Sequence, residues 1–339
     1  MRIRHTALGA AGAALLLLVA GCGEAGSSGG GGGEPEPTTT TSDAAPAACD
    51  PVADEALVVL EDDLGLQTVD NVVPAVNAAA AEASPGLVGV LDAVSATLDT
   101  PTLIELNRAV DVERRTSSEV AAEYVAEQGL DEQEQVGAGA SVLVGAANFS
   151  ESATLAEIYA AALDAAGFDA ATQTIGNRET YEPALELGDL TVVPEYAGTL
   201  TEFLNKKVNG ADAPAVASSD LDETMDALRA LGEEVGLVFG EPAEAQDQNA
   251  FAVTVAFAEE HGVSTLSELA ETCGGIVLGG PPECPERPFC QPGLEDLYGL
   301  DVASFTSLDA GGPLTKAALQ QGEIALGLVF SSDAALAAG

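Results

Sequence analysis

A lone β-strand is not stable by itself, and the first folded stretch of this chain contains just one. Residues 57–60, "LVVL", form a short apolar run closed by the acidic turn Glu61-Asp62-Asp63, the pattern of a buried strand. From there to residue 130 the periodicity reads as helix over 71–82, 87–97, 101–109 and 117–128. A stable sheet needs three or more strands. Residues 57–60 must therefore pair with strands encoded further along, and the N-terminal piece belongs to one body with the rest.

The later sequence supplies those strands. "SVLVGA" at 141–146 reads as a strand, and Leu155, Ile158, Tyr159 and Ala162 follow at helical spacing up to Gly167. A strand near 170–175, a helix from Tyr181, and "LTVVPEYAGT", a strand turning into a helix near Thr199, continue the alternation. Beyond it, "MDALRALGEEVG" reads as helix. "LVFG", "NAFAVTVA", "GIVLGGPP", "DVASFTSL" and "EIALGLVF" read as strands separated by short helices. Alternation of this kind predicts βαβ units and two α/β lobes.

The N-terminus carries Arg2 and Arg4, then an apolar run ending Leu18-Val19-Ala20-Gly21-Cys22. The run is shorter than the roughly 20 residues of a permanent span, so residues 1–21 read as an export signal. The residues before Cys22 resemble a bacterial lipobox, which implies lipidation of Cys22 and an extracytoplasmic protein anchored to the outer face of the cell membrane. Residues 22–48, rich in Gly, Pro, Ser and Thr, have little to bury and read as a flexible tether.

With 11 Lys and Arg against 55 Asp and Glu, the net charge is −44. Nucleic acid is excluded as a partner, because phosphate contacts need clustered cations; a cationic ligand is favoured. Four of the five cysteines remain after Cys22: Cys49, Cys273, Cys284 and Cys290. An even number in an exported chain reads as two disulfides, with three pairings open. The closeness of Cys284 and Cys290 in a Pro-rich loop favours that pair, leaving Cys49 with Cys273. A zinc site using these cysteines and His261 is the rival, but no C-x-x-C knuckle supports it. No metal or other cofactor is expected.

Four stretches then resemble one family. They are "VGAANFSESATLAEIYAAALDAAGF", "IGNRETYEPALELGDLTVVPEYAGTL", "LGGPPECPERPFCQPGLEDLYGL" and "LDAGGPLTKAALQQGEIALGLVFSSDAALAA". They look like the substrate-binding proteins of osmoprotectant ABC importers, which bind glycine betaine, choline, carnitine and related quaternary amines. Pro194-Glu195-Tyr196 with the following Gly-Thr is the most specific piece. The resemblance implies a type II periplasmic-binding-protein-like α/β fold, two lobes around a ligand cleft, and a monomer that delivers its ligand to a membrane permease. Residues 57–128 match too, but the family places such a segment after one like "GLVFSSDAALAA". The chain thus looks circularly permuted. The expected division is 49–130 completing lobe 1, 131–140 as the linker, 141–198 as lobe 1, 199–330 mainly lobe 2, and 331–339 returning to lobe 1.

A quaternary ammonium has no N–H to donate, so it is held by aromatic faces, each contact worth roughly 0.5–2 kcal/mol. The resemblance implies such a cage between the lobes. With no Trp, 5 Tyr and 9 Phe, aromatics in the motif loops stand out: Tyr196, Phe251, Tyr181 and Phe289. Asn148 in the first loop, Glu195, Arg178 and Asp309 complete the candidate set, while Tyr159 and Tyr298 read as packing. The chain departs from the family at Ala147, where a Lys that can hold a betaine carboxylate is frequent, and at Val193 and Cys284, where aromatics are. Arg178 and Arg287 are the remaining cations near the site. Either can serve a carboxylate or pair with local acid, and the missing Lys favours choline over glycine betaine. Another small solute, such as an amino acid or polyamine, and a docking lipoprotein without ligand are the alternatives. There is no G-x-S-x-G elbow, H-E-x-x-H or P-loop to support an enzyme.

Overall fold

The computed structural model describes residues 47–336. The export signal at 1–21, lipidation of Cys22 and most of the tether lie outside the described residues. The chain begins with β1 (Ala47–Ala48), β2 (Leu57–Leu60) and β3 (Val72–Asn77), followed by α1 (Ala78–Ala83), α2 (Leu87–Ser95), α3 (Thr100–Asn107) and α4 (Ser117–Glu127). It continues through β4 (Ser141–Ala147), α5 (Ser150–Ala165), β5 (Asp169–Gly176), α6 (Arg178–Leu187), β6 (Val192–Tyr196), α7 (Ala197–Asn209), α8 (Leu221–Val235) and β7 (Leu237–Phe239). The remainder is β8 (Asn249–Thr254), α9 (Val255–His261), α10 (Leu266–Thr272), β9 (Cys273–Gly274), β10 (Ile276–Gly280), α11 (Gln291–Tyr298), β11 (Val302–Ser307), α12 (Pro313–Gln320) and β12 (Leu326–Phe330).

Two five-stranded sheets make two lobes. The first has the order β5-β4-β6-β3-β7 and the second β11-β10-β12-β8-β2. The lone strand at 57–60 finds its partner in β8, antiparallel, with Leu57 opposite Thr254 and Leu60 opposite Phe251. It therefore lies in the second lobe, and the assignment of all of 49–130 to lobe 1 is corrected: the chain crosses to the first lobe only between β2 and β3. The second lobe likewise does not begin at 199. Leu200, Leu204, Met225, Leu228, Leu231 and Leu237 pack with Val73 and Val193 in the first lobe, so α7, α8 and β7 belong there and the second crossover runs between β7 and β8. After β12, Ser332 touches the first lobe, while Leu336 packs against the second-lobe cluster of Ala252, Ala318, Leu319, Ile324 and Val329.

Helix over 71–82 is also corrected. Residues 72–77 are a strand buried along its whole length between β6 and β7, and only 78–83 is helical. A short apolar run buried on both faces carries no alternation to distinguish it from a helix. Pro74 stands opposite Pro194 in the β6 ladder and, on the β7 side, only accepts, taking the Gly240 N–H on its carbonyl. The flanking bonds Asn77 N–H to Thr191 O and Ala197 N–H to Asn71 O put the hydrogen-bonded pairs at the odd residues. Position 74 is thus one where the ladder with β6 asks for no N–H.

The crossovers run side by side between the lobes. Asn71 bridges Gln246, Asp247 donates its N–H to Asp70 O, and Ser331 exchanges backbone and hydroxyl bonds with Gln248. Both favoured disulfides are present, Cys49–Cys273 and Cys284–Cys290. The first joins the parallel β1–β9 pair and pins residues 47–49 to the second lobe. Of the residues in the zinc reading, Cys49, Cys273 and His261 do have ligand atoms within 4.8 Å of one another. The sulfurs are bonded to each other, however, and have no thiolate to offer a metal. The His261 ring packs against Phe257, with centres 4.5 Å apart and planes tilted by 57°.

Cys49–Cys273 closes 224 residues of sequence and Cys284–Cys290 only 6. Replacing Cys49 and Cys273 together by Ser is expected to lower unfolding free energy by about 2–5 kcal/mol, and the same change at Cys284 and Cys290 by less. Chemical denaturation of both variants checks the order.

Candidate functional site

β6 runs without a loop into α7, so its "VVPEY" delivers Glu195 and Tyr196 to the end of the sheet where α/β proteins present ligand contacts. A cavity of about 370 Å³ opens there between the lobes. Its first-lobe wall includes Asp70, Asn148, Phe149, Arg178, Tyr181, Tyr196, Thr199 and Lys206, and its second-lobe wall Asn249, Cys284, Arg287, Phe289, Leu328 and Phe330. Of the sequence candidates, Tyr196, Tyr181, Phe289, Arg178 and Asn148 come together here. The structure also brings in Phe149 and Phe330, from opposite lobes. Phe149 lies 6.2 Å from Tyr196 and 5.3 Å from Phe330, ring centre to ring centre. Both phenylalanines are only partly buried, which leaves ring surface for a ligand.

Three candidates are corrected. Phe251 is 1% exposed on β8, between β12 and β2, and its side chain is part of the second-lobe core. Asp309 lies outside this cavity. Its carboxylate accepts the N–H groups of Leu314 and Thr315 and the Thr315 hydroxyl, capping α12. Glu195 is buried behind the wall, bound by Arg178 through Nε at 2.9 Å and Nη2 at 2.6 Å, by the Tyr181 hydroxyl at 2.8 Å and by the Tyr196 N–H. Its charge is matched by Arg178, so it positions Tyr181 and Tyr196 and adds no negative field. The same pairing occupies Arg178, which also donates to Thr199 Oγ1. Val193 is fully buried in the core, whereas Ala147 and Cys284 do line the cavity.

The negative field comes from carboxylates outside the sequence candidates. Asp70 and Asp247 line the cavity at the crossovers, each about 95% buried. Next to them Glu151 accepts hydrogen bonds from Tyr196 OH at 2.6 Å, Asn107 Nδ2 at 2.5 Å and Ser332 Oγ at 2.6 Å. Burial pushes the Glu151 carboxyl up, and burial with the facing Glu151 charge raises that of Asp247 well above its usual range. Burial, then the Glu151 charge, also raises the Tyr196 phenol, which remains the donor. Burial lifts Asp70 to about 7 against the opposing pull of the Thr199 N–H and Arg178. An arriving cation would stabilise these groups as carboxylates.

The lobes also meet across the mouth of the cleft. Arg287 makes a two-pronged ion pair with Glu179, Nη2 to Oε2 at 2.9 Å and Nε to Oε1 at 3.2 Å, and a longer one with Glu283 at 3.5 Å. Asn177 reaches Glu283 at 3.4 Å. Arg287 is thus committed to joining the lobes.

Two α/β lobes linked by paired crossovers, with an aromatic and acidic cavity between them, define a two-lobed solute-binding protein. The family model for the substrate binding domain of ABC-type glycine betaine transport systems matches residues 45–127 and 140–338, and the chain belongs to that family. It is 27% identical over 179 residues to the glycine-betaine-binding protein of Pseudomonas aeruginosa, covering 51% of this chain and 50% of that one. The chain therefore spans about half the length of the curated relative it matches. Among solved structures it is similar to apo YehZ from Escherichia coli, at 24% identity over 56% of this chain and 69% of that one, with a TM-score of 0.37. It is similar also to a glycine betaine/carnitine/choline ABC transporter structure, at 20% identity over 58% and 71% of the two chains, again with a TM-score of 0.37.

The Asp70 value lies above the ordinary carboxylate value near 3.9. Between the two, the folded chain holds a proton that the unfolded chain does not, so this group's contribution to stability falls as pH rises through that window. Asp70→Asn is expected to be more stable than the unaltered protein at pH 8, by roughly 1–4 kcal/mol, with the gap closing near pH 4. Denaturation curves at both pH values test it; a gap independent of pH would mean that Asp70 does not titrate in this window.

Proposed function

We propose that the protein captures a quaternary amine outside the cell and hands it to the permease of an ABC transporter, working as a lipid-anchored monomer tethered through Cys22. The observation that carries this reading is the Phe149, Tyr196 and Phe330 cluster in the interlobe cavity, beside buried Asp70 and Asp247. A soft cation without N–H groups gains from ring faces and from negative field, and needs no hydrogen bonds. The names of the relatives point the same way. A polyamine would instead need an acceptor for each of its N–H groups, and the ring faces of Phe149, Tyr196 and Phe330 supply none. Because each lobe supplies part of the wall, hinge motion about the crossovers would open and close the site.

A circular permutation of the family's order remains part of this reading. It is supported by Leu57 and Leu336 packing against one second-lobe cluster. A variant that moves residues 49–130 behind residue 339 and omits the 131–140 linker is expected to fold and to bind the same ligand. Circular dichroism and calorimetry on that variant read both.

Tyr196→Ala is expected to weaken binding of every quaternary amine at least tenfold, as read by titration calorimetry with choline, glycine betaine and carnitine. Unchanged affinity for all three would sink the reading. Because Tyr196 also bonds Glu151, Phe149→Ala serves as a second variant outside that hydrogen-bond network, with the same expectation.

A further inference from the structure

The cations on the cavity wall are not equivalent. Arg178 is held by Glu195, Arg287 by Glu179 and Glu283, and Lys207 by Glu182 at 2.6 Å and Glu186 at 2.7 Å. Lys206 also lines the cavity, yet no carboxylate among the described residues lies within ion-pair distance of its ammonium. In a chain with 55 acidic side chains against 11 Lys and Arg, a half-buried lysine without a partner stands out.

Its position on α7 gives it a direction. Thr199, Glu202, Phe203 and Lys206 all line the cavity, and their i, i+3, i+4, i+7 spacing makes one helix face. The opposite face, with Leu200 and Leu204, packs into the first-lobe core. Lys206 lies about 10 Å along the axis from Thr199, at seven residues of 1.5 Å each, and α7 itself starts directly after Tyr196. Side chains on a helix lean toward its N-terminus, which for α7 is the end that adjoins Tyr196. A lysine near a helix C-terminus is favoured by the helix dipole alone. Lys207, one position on, has that benefit and still turns to Glu182 and Glu186.

We propose that Lys206 is the residue that reads the carboxylate of a zwitterionic quaternary amine whose ammonium sits against Phe149, Tyr196 and Phe330. The inference rests on the quaternary-amine reading above and makes the site selective for a betaine over its alcohol counterpart, choline. It supplies from α7 the positive charge that the first loop lacks at Ala147. A carboxylate in the cavity forms a charge-assisted hydrogen bond with this ammonium, and a neutral hydroxyl gains less.

The test is calorimetric titration of the full chain, of Lys206→Gln and of Lys206→Arg, each with glycine betaine and with choline. The unaltered protein is expected to favour glycine betaine. Lys206→Gln is expected to raise the glycine betaine Kd about tenfold, equivalent to about 1.4 kcal/mol, and to leave choline within twofold. Lys206→Arg, which keeps the charge, is expected to recover most of the glycine betaine affinity. Binding of choline but not glycine betaine by the unaltered protein would overturn the Lys206 assignment and leave the quaternary-amine reading standing. So would a Lys206→Gln variant in which both ligands are unchanged or both weaken equally. Binding of neither ligand by the unaltered protein would overturn the quaternary-amine reading, and the Lys206 assignment with it.

Discussion

The buried pair between Arg178 and Glu195 holds the first-lobe wall of the site in place. Arg178 opens α6 and Glu195 ends β6, so two Nε/Nη2 bonds of 2.9 and 2.6 Å tie a helix start to a strand end. Through Glu195 the pair orients the Tyr181 hydroxyl and the Tyr196 N–H, and through Arg178 it reaches Thr199 in the first turn of α7. Two charges this deeply buried are tolerated only because nearly every donor and acceptor is satisfied, and removing either one would strand the other at a cost of about 3–5 kcal/mol. The pair contributes geometry to the cavity, and each charge cancels the other there.

That cancellation lets the unpaired carboxylates decide the electrostatics. Asp70, Asp247 and Glu151 gather where the two crossovers meet, and burial holds all three above their usual values. Burial favours their protonated forms, and a bound cation would favour the carboxylates. The net charge of −44 belongs mostly to the solvated surface; the selective part is a few acids, the rings beside them and a single unpaired lysine. The Arg287–Glu179 pair across the mouth makes closure a matter of specific contacts between lobes as well as of ligand.

Much of the architecture was legible in the residue pattern. The need of 57–60 for later partners, the βαβ alternation after 141 and both disulfides hold in the structure. Helix over 71–82 failed because "NVVPAVN" is buried on both faces, and a run without alternation looks the same in a central strand as in a helix. The lobe boundaries were misplaced for a related reason. α7 and α8 have helical patterns that suit either lobe, and only the packing of Leu200, Leu204 and Leu228 on Val73 and Val193 assigns them to the first.

At the site, the motifs that resemble the family pointed to Tyr196, Tyr181, Phe289, Arg178 and Asn148, and all five line the cavity. The sequence by itself also determined that the chain is acidic and poor in aromatics. Only the tertiary structure decided that Phe251 belongs to a core and Asp309 to a helix cap, and that Phe149 meets Phe330 from the other lobe. It alone placed Asp70, Asp247 and Lys206 on one cavity. These residues are far apart in sequence and share no local pattern. What unites them is the closure of two lobes around paired crossovers, and a contact made by closure leaves no periodicity in the chain for a linear reading to find.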